Sequence, residues 1–381
     1  MLNDRAALPI LQFGTSRFLQ AHVDLFVSQA LAEGRALGPI AVVQTTRSAE
    51  SAARVRALSA GGGYPVRVRG LQRGMPVDVE LRGEAVHEAL DAASAWPRVR
   101  ELACGAQVIV SNTGDAGYAL DPLDDARLLH EAASVPRSFP AKLVVLLHAR
   151  WQAAPESPLS IYPCELVARN GEVLRSVVLQ LARAWSAPEA FIAYLGQHCC
   201  WANSLVDRIV SDAIAPVGAV AEPYALWAIE RQPGLVLPCT HESILLTDEL
   251  ARHERLKLLL LNLGHTFLAE RWLQAGRPPG STVLQAMHDE AQRAELEALW
   301  AEEVLPVFEA LGEREAALDY LDALRDRLLN PFLAHRLADI AQNHEQKKQR
   351  RLAPAVQLAR ELRLPLAQRR LRLALHSPIT A

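Results

Sequence analysis

Short apolar runs, separated by helical patterns, organise the first half of the chain. Four runs predict buried strands, because a short, continuous apolar segment fits a strand covered on both faces: 9–13, 40–45, 108–110 and 159–163. Helical patterns lie between or after them, at 19–31, 141–152 and 172–185. Strands that alternate with helices predict a parallel sheet, so the expected fold class is α/β. Residues 64–71 and 75–81 predict a short antiparallel excursion.

One segment of the second half is apolar nearly all the way round. Residues 255–268, RLKLLLLNLGHTFL, therefore predict a helix that is buried on every side. Lys257, Asn262 and His265 interrupt it. At about 100° per residue, His265 lies about 80° and Asn262 about 140° around the axis from Lys257. Burial lowers the pKa of a lysine amine, which can then act as a base near neutral pH. A core helix with a snorkelling lysine and two satisfied polar groups fits equally well.

Composition and charge narrow the classes of function. The chain has 381 residues, of which half are hydrophobic and 22% are charged, enough for two or three domains. The net charge of -3 argues against a nucleic-acid partner. No signal peptide is evident and no apolar run reaches the ~20 residues of a membrane span, so we expect a cytoplasmic protein. The run His198-Cys199-Cys200 is a weak metal motif, since zinc ligands are usually spaced, and we expect no metal.

The first apolar run leads into the turn FGTSRF at residues 13–18. Strand, glycine turn, helix and strand within about 35 residues is the layout of a dinucleotide-binding βαβ unit. Gly14 supplies the first glycine of that motif, Ser16 stands at the second, and no third is evident, so any βα turn fits as well. Asn112 and Thr113 follow the strand at 108–110, at the edge where α/β sheets bind ligands. They are also ordinary turn residues.

Several motifs, in order along nearly the whole chain, resemble the mannitol dehydrogenase family. They are FGTSRFLQAH (13–22), NSLVDRI (203–209), EPYALWAIE (222–230), the set Glu254, Lys257, Leu261, Asn262 and His265, and a closing set of Asn330, Pro331, His335, Asn343, Lys347 and Arg351. Three further stretches resemble the altronate oxidoreductase (tagaturonate reductase) branch of the family: 111–117, 138–143 and 163–171. Leu166 stands where polyol-oxidising members carry an asparagine that contacts substrate.

The resemblance agrees with the distribution of strand patterns. They thin out after about residue 212, and residues 244–246 are the last convincing strand. We therefore predict a Rossmann-like dinucleotide-binding domain over residues 1–211 and a mostly α-helical substrate domain over residues 212–381.

The resemblance also implies a mechanism, hydride transfer between a nicotinamide and a carbon bearing a hydroxyl or a ketone. Lys257 would exchange the proton of the reacting oxygen, while Asn262 and His265 would hold that oxygen. The family places the cofactor over the first turn and near the end of the strand at 108–110. The implied cofactor-binding residues are Gly14, Thr15, Ser16, Arg17, Phe18, Asn112 and Thr113.

Three positions bear on the substrate. A sugar acid needs a cation for its carboxylate, and Lys347 and Arg351 are the candidates. A solvated basic helix face is an equally good interpretation of these two residues. Asp207, in a buried-looking pair with Arg208, is also a candidate substrate residue, although such pairs are more often structural.

The identity of the dinucleotide stays open at this point. NAD enzymes often carry an acid at the end of the second strand, and none occurs after residues 40–45. Arg47 and Ser48 could instead receive the 2′-phosphate of NADP. The family mostly uses NAD, so the cofactor is NAD or NADP.

These observations predict an NAD(P)-dependent oxidoreductase that interconverts a keto sugar acid and its hydroxy form, as in tagaturonate and altronate. One alternative is a polyol or ketose dehydrogenase like mannitol 2-dehydrogenase. Another is a non-catalytic nucleotide-binding homologue, which the missing glycine and Gln20 favour and the joint presence of Lys257, Asn262 and His265 opposes. The expected partner is a small sugar acid or polyol, and the expected state is a monomer or small homo-oligomer.

Overall fold

A computed structural model describes residues 8–46, 48–114 and 117–377. Its strands are β1 (Ile10–Phe13), β2 (Ile40–Gln44), β3 (Tyr64–Gln72), β4 (Met75–Gly83), β5 (Val86–Asp91), β6 (Val108–Ser111), β7 (Leu159–Pro163), β8 (Cys199–Trp201), β9 (Ser204–Asp207), β10 (Val210–Ala213), β11 (Ala219–Ala221), β12 (Leu226–Glu230) and β13 (Ile244–Thr247). Within these described ranges, no helix is long and apolar enough to cross a membrane.

The α-helices are α1 (Arg17–Gln20), α2 (Val23–Ala32), α3 (Ala49–Ser59), α4 (Trp96–Gly105), α5 (Phe139–Ala153), α6 (Asn170–Ala184), α7 (Glu189–Gln197), α8 (Leu250–Leu256), α9 (Leu263–Gln274), α10 (Val283–His288), α11 (Glu290–Leu299), α12 (Leu305–Ala310), α13 (Arg314–Leu328), α14 (Leu337–Ile340), α15 (His344–Arg351), α16 (Ala353–Glu361) and α17 (Arg369–His376). A 3₁₀ helix covers Ala126–Leu129, and π-helices cover Lys257–Asn262 and Trp300–Val304.

The central element is a six-stranded sheet in the order β5-β2-β1-β6-β7-β8. Every neighbouring pair in it is parallel, so the predicted α/β class with a Rossmann-like sheet is confirmed. The four predicted buried strands are β1, β2, β6 and β7. The run weighed as a metal motif instead enters the sheet, because Cys199 begins β8.

The central strands are buried on both faces, which explains why most of their residues are apolar; Gln12 in β1 and Ser160 in β7 are buried polar exceptions. Successive side chains of a strand point to opposite faces. Leu11 and Phe13 therefore join a core with the helices α4 to α7, whereas Ile10 joins a second core with Val23 and Phe26 of α2. The carboxyl ends of β1, β2, β6 and β7 are thereby held at one rigid edge.

Two smaller sheets complete the strands. One has the order β10-β11-β3-β4 and the other the order β13-β12-β9. The predicted excursion is the pair β3 and β4, which Arg73 and Gly74 connect. Both residues have positive φ, 53° and 73°, as a two-residue type I′ hairpin requires.

The chain divides into two compact units. The first contains the described residues up to Arg67, then Glu80–Ala221 and Ala225–Leu250; the second contains Val68–Val79, Glu222–Tyr224 and the described residues from Ala251 onward. The second unit is mostly helical, with its own core built from α9 to α17 and the segments between them. The predicted domain boundary between residues 211 and 212 stays a prediction, since compact units need not coincide with functional domains.

A buried carboxyl below the first turn links stability to pH. Asp24 of α2 is 1% exposed, and the Tyr64 hydroxyl donates a 3.1 Å hydrogen bond to its Oδ2. Burial raises the pKa of Asp24 from 3.8 to about 6, so the folded state holds this proton more tightly than the unfolded state. Stability should therefore fall as pH rises from about 4 to about 6.

We expect Asp24→Asn to flatten that pH dependence and to raise stability near neutral pH by up to roughly 3 kcal/mol. Thermal unfolding at about pH 4 and about pH 7 measures both effects. The exposed Asp319→Asn on α13 is the matched control and should keep the wild-type slope. An unchanged slope in the Asp24 variant would show that this carboxyl does not control it.

Candidate active site

The helix that carries the predicted catalytic residues is not a regular α-helix. α8, the π-helix Lys257–Asn262 and α9 follow one another without a break. In a π-helix the N–H bonds the carbonyl five residues earlier, which is the spacing between Lys257 and Asn262. Asn262 therefore lies over Lys257, and the predicted separation of about 140° is wrong because it assumed α-helical geometry. Such single π turns occur frequently at functional sites.

The three predicted catalytic residues share a helix whose burial is uneven. His265 is 7% exposed, whereas Lys257 and Asn262 are half-buried, so the prediction of burial on every side is wrong. The side-chain amide of Asn262 makes no hydrogen bond within the described part of the chain. Its backbone carbonyl accepts a 2.8 Å bond from the Thr266 hydroxyl. The π turn thus carries two half-buried polar side chains, an amine and an amide.

Close packing fixes the rotation of this helix. A Cβ at Gly264 would lie 2.8 Å from Cζ2 of Trp300, closer than side-chain carbons approach one another. Trp300 is 1% exposed and begins the second π-helix. Only glycine allows this contact, and His265 is the next residue, so its direction is set by the same packing.

His335 is a second imidazole at the site, which the sequence placed in a motif without a role. Its ring centroid lies 4.7 Å from that of His265, with the rings at 71°, an edge-to-face contact. Burial, with a smaller effect of the Lys347 charge, lowers the pKa of His335, while Asp339 partly opposes this. Nδ1 of His335 has no hydrogen-bond partner among the described residues. His335 therefore connects the His265 ring with the environment of Lys347.

We expect His335→Ala to lower kcat/KM about three- to tenfold, because an aromatic edge contact is worth about 0.5–1.5 kcal/mol. His335→Phe keeps the ring edge against His265 and should retain most of the activity. Steady-state kinetics of both variants test this positioning role. Equal losses in the two variants would instead assign the function to the imidazole nitrogens.

Lys347 and Arg351, the predicted carboxylate ligands, lie one turn apart on α15 and so share a face. Lys347 Nζ donates a 2.7 Å bond to the Ile340 carbonyl. Burial lowers the pKa of both side chains, and the Arg351 charge lowers that of Lys347 further. In the described part of the chain, neither residue has a carboxylate partner, and Arg351 makes no hydrogen bond. Two half-buried positive charges therefore lack an opposite charge, unlike a solvated basic face.

A network of hydrogen bonds and ion pairs fastens α15 to α9. Nε2 of His344 lies 2.8 Å from Oε2 of Glu270, and Lys348 Nζ lies 3.7 Å from the same oxygen. Lys348 also contacts Glu345 at 2.8 Å. Glu270 follows His265 on α9, so this network holds the helix of Lys347 and Arg351 in a fixed place relative to His265.

In the first unit, the turn after β1 fits a dinucleotide. Gly14 has φ 118°, and a Cβ there would lie 2.5 Å from the Asn112 carbonyl oxygen, so only glycine is accommodated. Thr15 is buried, whereas Phe18 is half-buried and stacks on the His22 ring at 4.8 Å. Ser16 and Arg17 line a cavity of about 330 Å³ beside this turn. The turn lies at the carboxyl end of β1, where Rossmann-type folds bind the pyrophosphate of a dinucleotide.

Gln20, which replaces the family's usual arginine, has a structural role in this turn. Its Nε2 donates to the Thr15 carbonyl at 3.0 Å, and its Oε1 accepts from the Gly218 N–H at 3.0 Å. The buried amide thus ties the turn to the segment between β10 and β11. The substitution therefore leaves the turn ordered rather than decayed.

Asn112 and Thr113 lie after β6 and are fixed by the chain that follows β7. The Asn112 amide donates to the Cys164 carbonyl at 2.8 Å, and the N–H and hydroxyl of Thr113 both bond Oε1 of Glu165 at 2.9 Å. Glu165 is 4% exposed and also accepts from Ser111 and Tyr118. Sequence reasoning missed Glu165, although it lies in the quoted stretch 163–171.

The remaining predicted positions differ in their surroundings. Arg47 lies outside the described residues. Asp207 is 3% exposed at the end of β9, and Arg208 donates a 2.5 Å bond to the Ala21 carbonyl. Leu166 is 77% exposed, so its side chain is not part of a packed core.

The strand order, the all-parallel sheet and the glycine turn define a Rossmann-type dinucleotide-binding protein with a helical second unit. The family model described as the mannitol dehydrogenase Rossmann domain matches residues 9–235, and that of the mannitol dehydrogenase C-terminal domain matches residues 249–375. The chain belongs to the mannitol dehydrogenase family of oxidoreductases.

Several relatives are altronate oxidoreductases. That of Halalkalibacterium halodurans is 30% identical over 91% of this chain and 69% of its own length. That of Escherichia coli is 31% identical over 91% and 74%, and that of Bacillus subtilis 30% over 94% and 77%. These matches confirm the predicted family and the resemblance to its altronate oxidoreductase branch.

Solved structures confirm the fold. Substrate-free D-sorbitol dehydrogenase has a TM-score of 0.77 at 19% identity, over 93% of this chain and 77% of that one. Mannitol 2-dehydrogenase of Pseudomonas fluorescens, in a ternary complex with NAD and D-mannitol, has a TM-score of 0.74 at 19% identity, over 97% and 78%.

Proposed function

We propose that the protein interconverts a keto sugar acid and its hydroxy form, as in tagaturonate and altronate, with NAD or NADP as cofactor. The observation that carries this proposal is the pair Lys347 and Arg351. Burying a charge costs free energy unless an opposite charge compensates it. A substrate carboxylate would supply that charge, and the Arg351 guanidinium can hold it through two parallel hydrogen bonds. A neutral polyol would leave both cations unmatched.

The relatives support the same substrate class, because those named above are altronate oxidoreductases at 30–31% identity. Leu166 also supports a sugar acid as substrate. It stands where polyol-oxidising members of the family carry an asparagine, and a leucine side chain cannot form a hydrogen bond with a neutral polyol. Asp207 is proposed as a further substrate residue, by its place in the family motif.

A bound nicotinamide would supply the hydride acceptor for oxidation of the substrate carbon and the hydride donor for its reduction. We assign the dinucleotide to the turn of Gly14, Thr15, Ser16, Arg17 and Phe18, with Asn112 and Thr113 beside it. The close approach of Gly14 to Asn112 and the bonds of Thr113 to Glu165 support a preformed surface there. Arg47 would meet a 2′-phosphate if NADP is bound.

The chain's own contribution to the reaction is proton transfer and charge stabilisation. In oxidation, the Lys257 amine takes the hydroxyl proton as the carbon loses its hydride, and a ketone forms. In reduction, the Lys257 ammonium returns that proton to the oxygen. Asn262 and His265 donate hydrogen bonds to the oxygen as negative charge develops on it. The π turn supports this assignment, because the five-residue spacing from Lys257 to Asn262 is the hydrogen-bond spacing of a π-helix.

The test is a screen of sugar acids, polyols and ketoses with both cofactors, followed by the absorbance of the reduced nicotinamide. Quenching of the tryptophan fluorescence by the dinucleotide is measured on the same samples. We expect both binding and turnover, with a sugar acid as the best substrate. Binding without turnover on any substrate would identify a non-catalytic homologue.

A further inference from the structure

The first turn has lost part of its usual phosphate-binding backbone. In the dinucleotide fingerprint, the second glycine lets the backbone approach the pyrophosphate, and helix N–H groups point at it. Here Ser16 stands at that position and its Oγ accepts the Leu19 N–H at 3.3 Å. The Leu19 N–H is therefore not available to a phosphate, and the Cβ of Ser16 leaves less room for the pyrophosphate to approach the backbone. Other hydrogen-bond donors, preferably positively charged side chains, are needed to bind the phosphates at this turn.

Arg54 of α3 reaches this turn from the neighbouring helix. Its Nε lies 3.4 Å from the Thr15 hydroxyl, and one terminal nitrogen donates to the Ser51 hydroxyl at 2.9 Å. The other terminal nitrogen pairs with Glu50, whose side chain is 78% exposed, whereas that of Arg54 is 19% exposed. The guanidinium is thus half-buried and aimed at the turn rather than at solvent.

Arg54 has donors to spare. A guanidinium carries five N–H groups, and the contacts with Thr15, Ser51 and Glu50 use three of them. An exposed ion pair such as that with Glu50 is weak and does not prevent a second acceptor. Arg54 lines the 330 Å³ cavity together with Ser16 and Arg17. Arg17 has no ion pair among the described residues, so the cavity wall carries two guanidiniums and one exposed carboxylate.

We propose that Arg54, with Arg17 lining the same cavity, binds the pyrophosphate of the dinucleotide and replaces the backbone contacts that Ser16 removes. This inference rests on one part of the proposed function, namely that the protein binds a dinucleotide at this turn. Arg54 is assigned to the pyrophosphate rather than to a 2′-phosphate because it contacts Thr15 in the turn. A 2′-phosphate would lie past the end of β2, where Arg47 and Ser48 occur.

Glu50 gives the site an internal competitor. It holds one edge of the guanidinium and offsets its charge. Removing that carboxylate should leave Arg54 in place, through Thr15 and Ser51, and free its remaining donors for phosphate. Removing the charge of Glu50 and removing that of Arg54, which both lie on α3, should therefore have opposite effects on the affinity for the dinucleotide.

The test is the dissociation constant of NADH and of NADPH, measured by fluorescence without any sugar substrate. We expect Arg54→Met to weaken both dinucleotides about tenfold or more and by the same factor. Arg54→Lys, which keeps a charge but loses the planar fork, should fall between it and the wild type. Glu50→Gln should tighten both dinucleotides about two- to fivefold. Arg56→Met, an exposed arginine on the same helix, is the matched control and should change neither.

Each other outcome contradicts the inference in a recognisable way. Unchanged affinities in Arg54→Met, with the far-ultraviolet circular dichroism of the wild type, would remove Arg54 from the site while the proposed function stands. A loss confined to NADPH would move Arg54 to the 2′-phosphate. Wild-type protein that binds neither dinucleotide would overturn the proposed function together with this inference.

Discussion

Replacing Lys257 with methionine is expected to abolish turnover while dinucleotide binding stays nearly intact. Methionine has similar length and fits the half-buried position of Lys257 in the π turn, but it cannot carry a proton. General acid–base catalysis contributes about 10²–10⁴-fold, so kcat should fall by at least that factor. The measurements are kcat in both directions and the dissociation constant of NADH for the same sample.

The variant Lys257→Arg distinguishes the role of Lys257 in proton transfer from the effect of its positive charge. A guanidinium keeps the positive charge but does not lose its proton near neutral pH. This variant should therefore be as inactive as Lys257→Met in oxidation, although the charge at the site is retained. If either variant keeps more than a few per cent of wild-type kcat, another group exchanges the proton.

The second large effect is expected from Arg351→Met. If Arg351 holds the substrate carboxylate, its removal costs a charge-assisted contact of about 1.5–3 kcal/mol, or about 10- to 150-fold in kcat/KM for a sugar acid. Any activity on a neutral polyol should be unchanged, because such a substrate never made the contact. Steady-state kinetics on one sugar acid and one polyol give both numbers.

The adjacent Arg350→Met is the control for this prediction. Arg350 is exposed on the same helix, α15, and should leave both activities at the wild-type level. We expect Arg351→Met to stabilise the fold slightly, since it removes a half-buried cation that has no ion pair among the described residues. A parallel loss of sugar-acid and polyol activity would show a general distortion of the site instead of a lost carboxylate contact.

The strands that the sequence predicts are those with a simple physical signature. β1, β2, β6 and β7 are buried on both faces, so most of their residues are apolar. β5 and β8 lie at the two edges of the sheet. β5 is partly polar, and β8 is only three residues long. β5 carries no apolar run and that of β8 is short, so both escaped prediction.

The geometry of the helix that carries the predicted catalytic residues could not be predicted in the same way. Residues 257–262 are good helix formers, and the choice of a π turn over an α turn depends on packing around them. Trp300 against Gly264 is one such contact, and it joins residues far apart in sequence. The motif supplied the identities of Lys257, Asn262 and His265, but the α-helical assumption misplaced Asn262.

Residues that act through contacts distant in sequence were also missed. Glu165 fixes Thr113, His335 packs on His265, and Arg54 reaches Thr15, and in each case the two partners lie on separate elements. Glu165 and His335 lie within the quoted motifs and Arg54 lies outside them, but no pattern in the sequence assigned a contact to any of the three. Their roles emerge only when the fold brings the elements together.

The most direct measurement is the ratio of kcat/KM for altronate to that for mannitol, with the better of the two nicotinamide cofactors. Two uncompensated cations on α15 predict a ratio of at least about ten, which is the contribution of one charge-assisted contact. A ratio of one or less, with mannitol oxidised as well as altronate, would contradict a site built for a carboxylate.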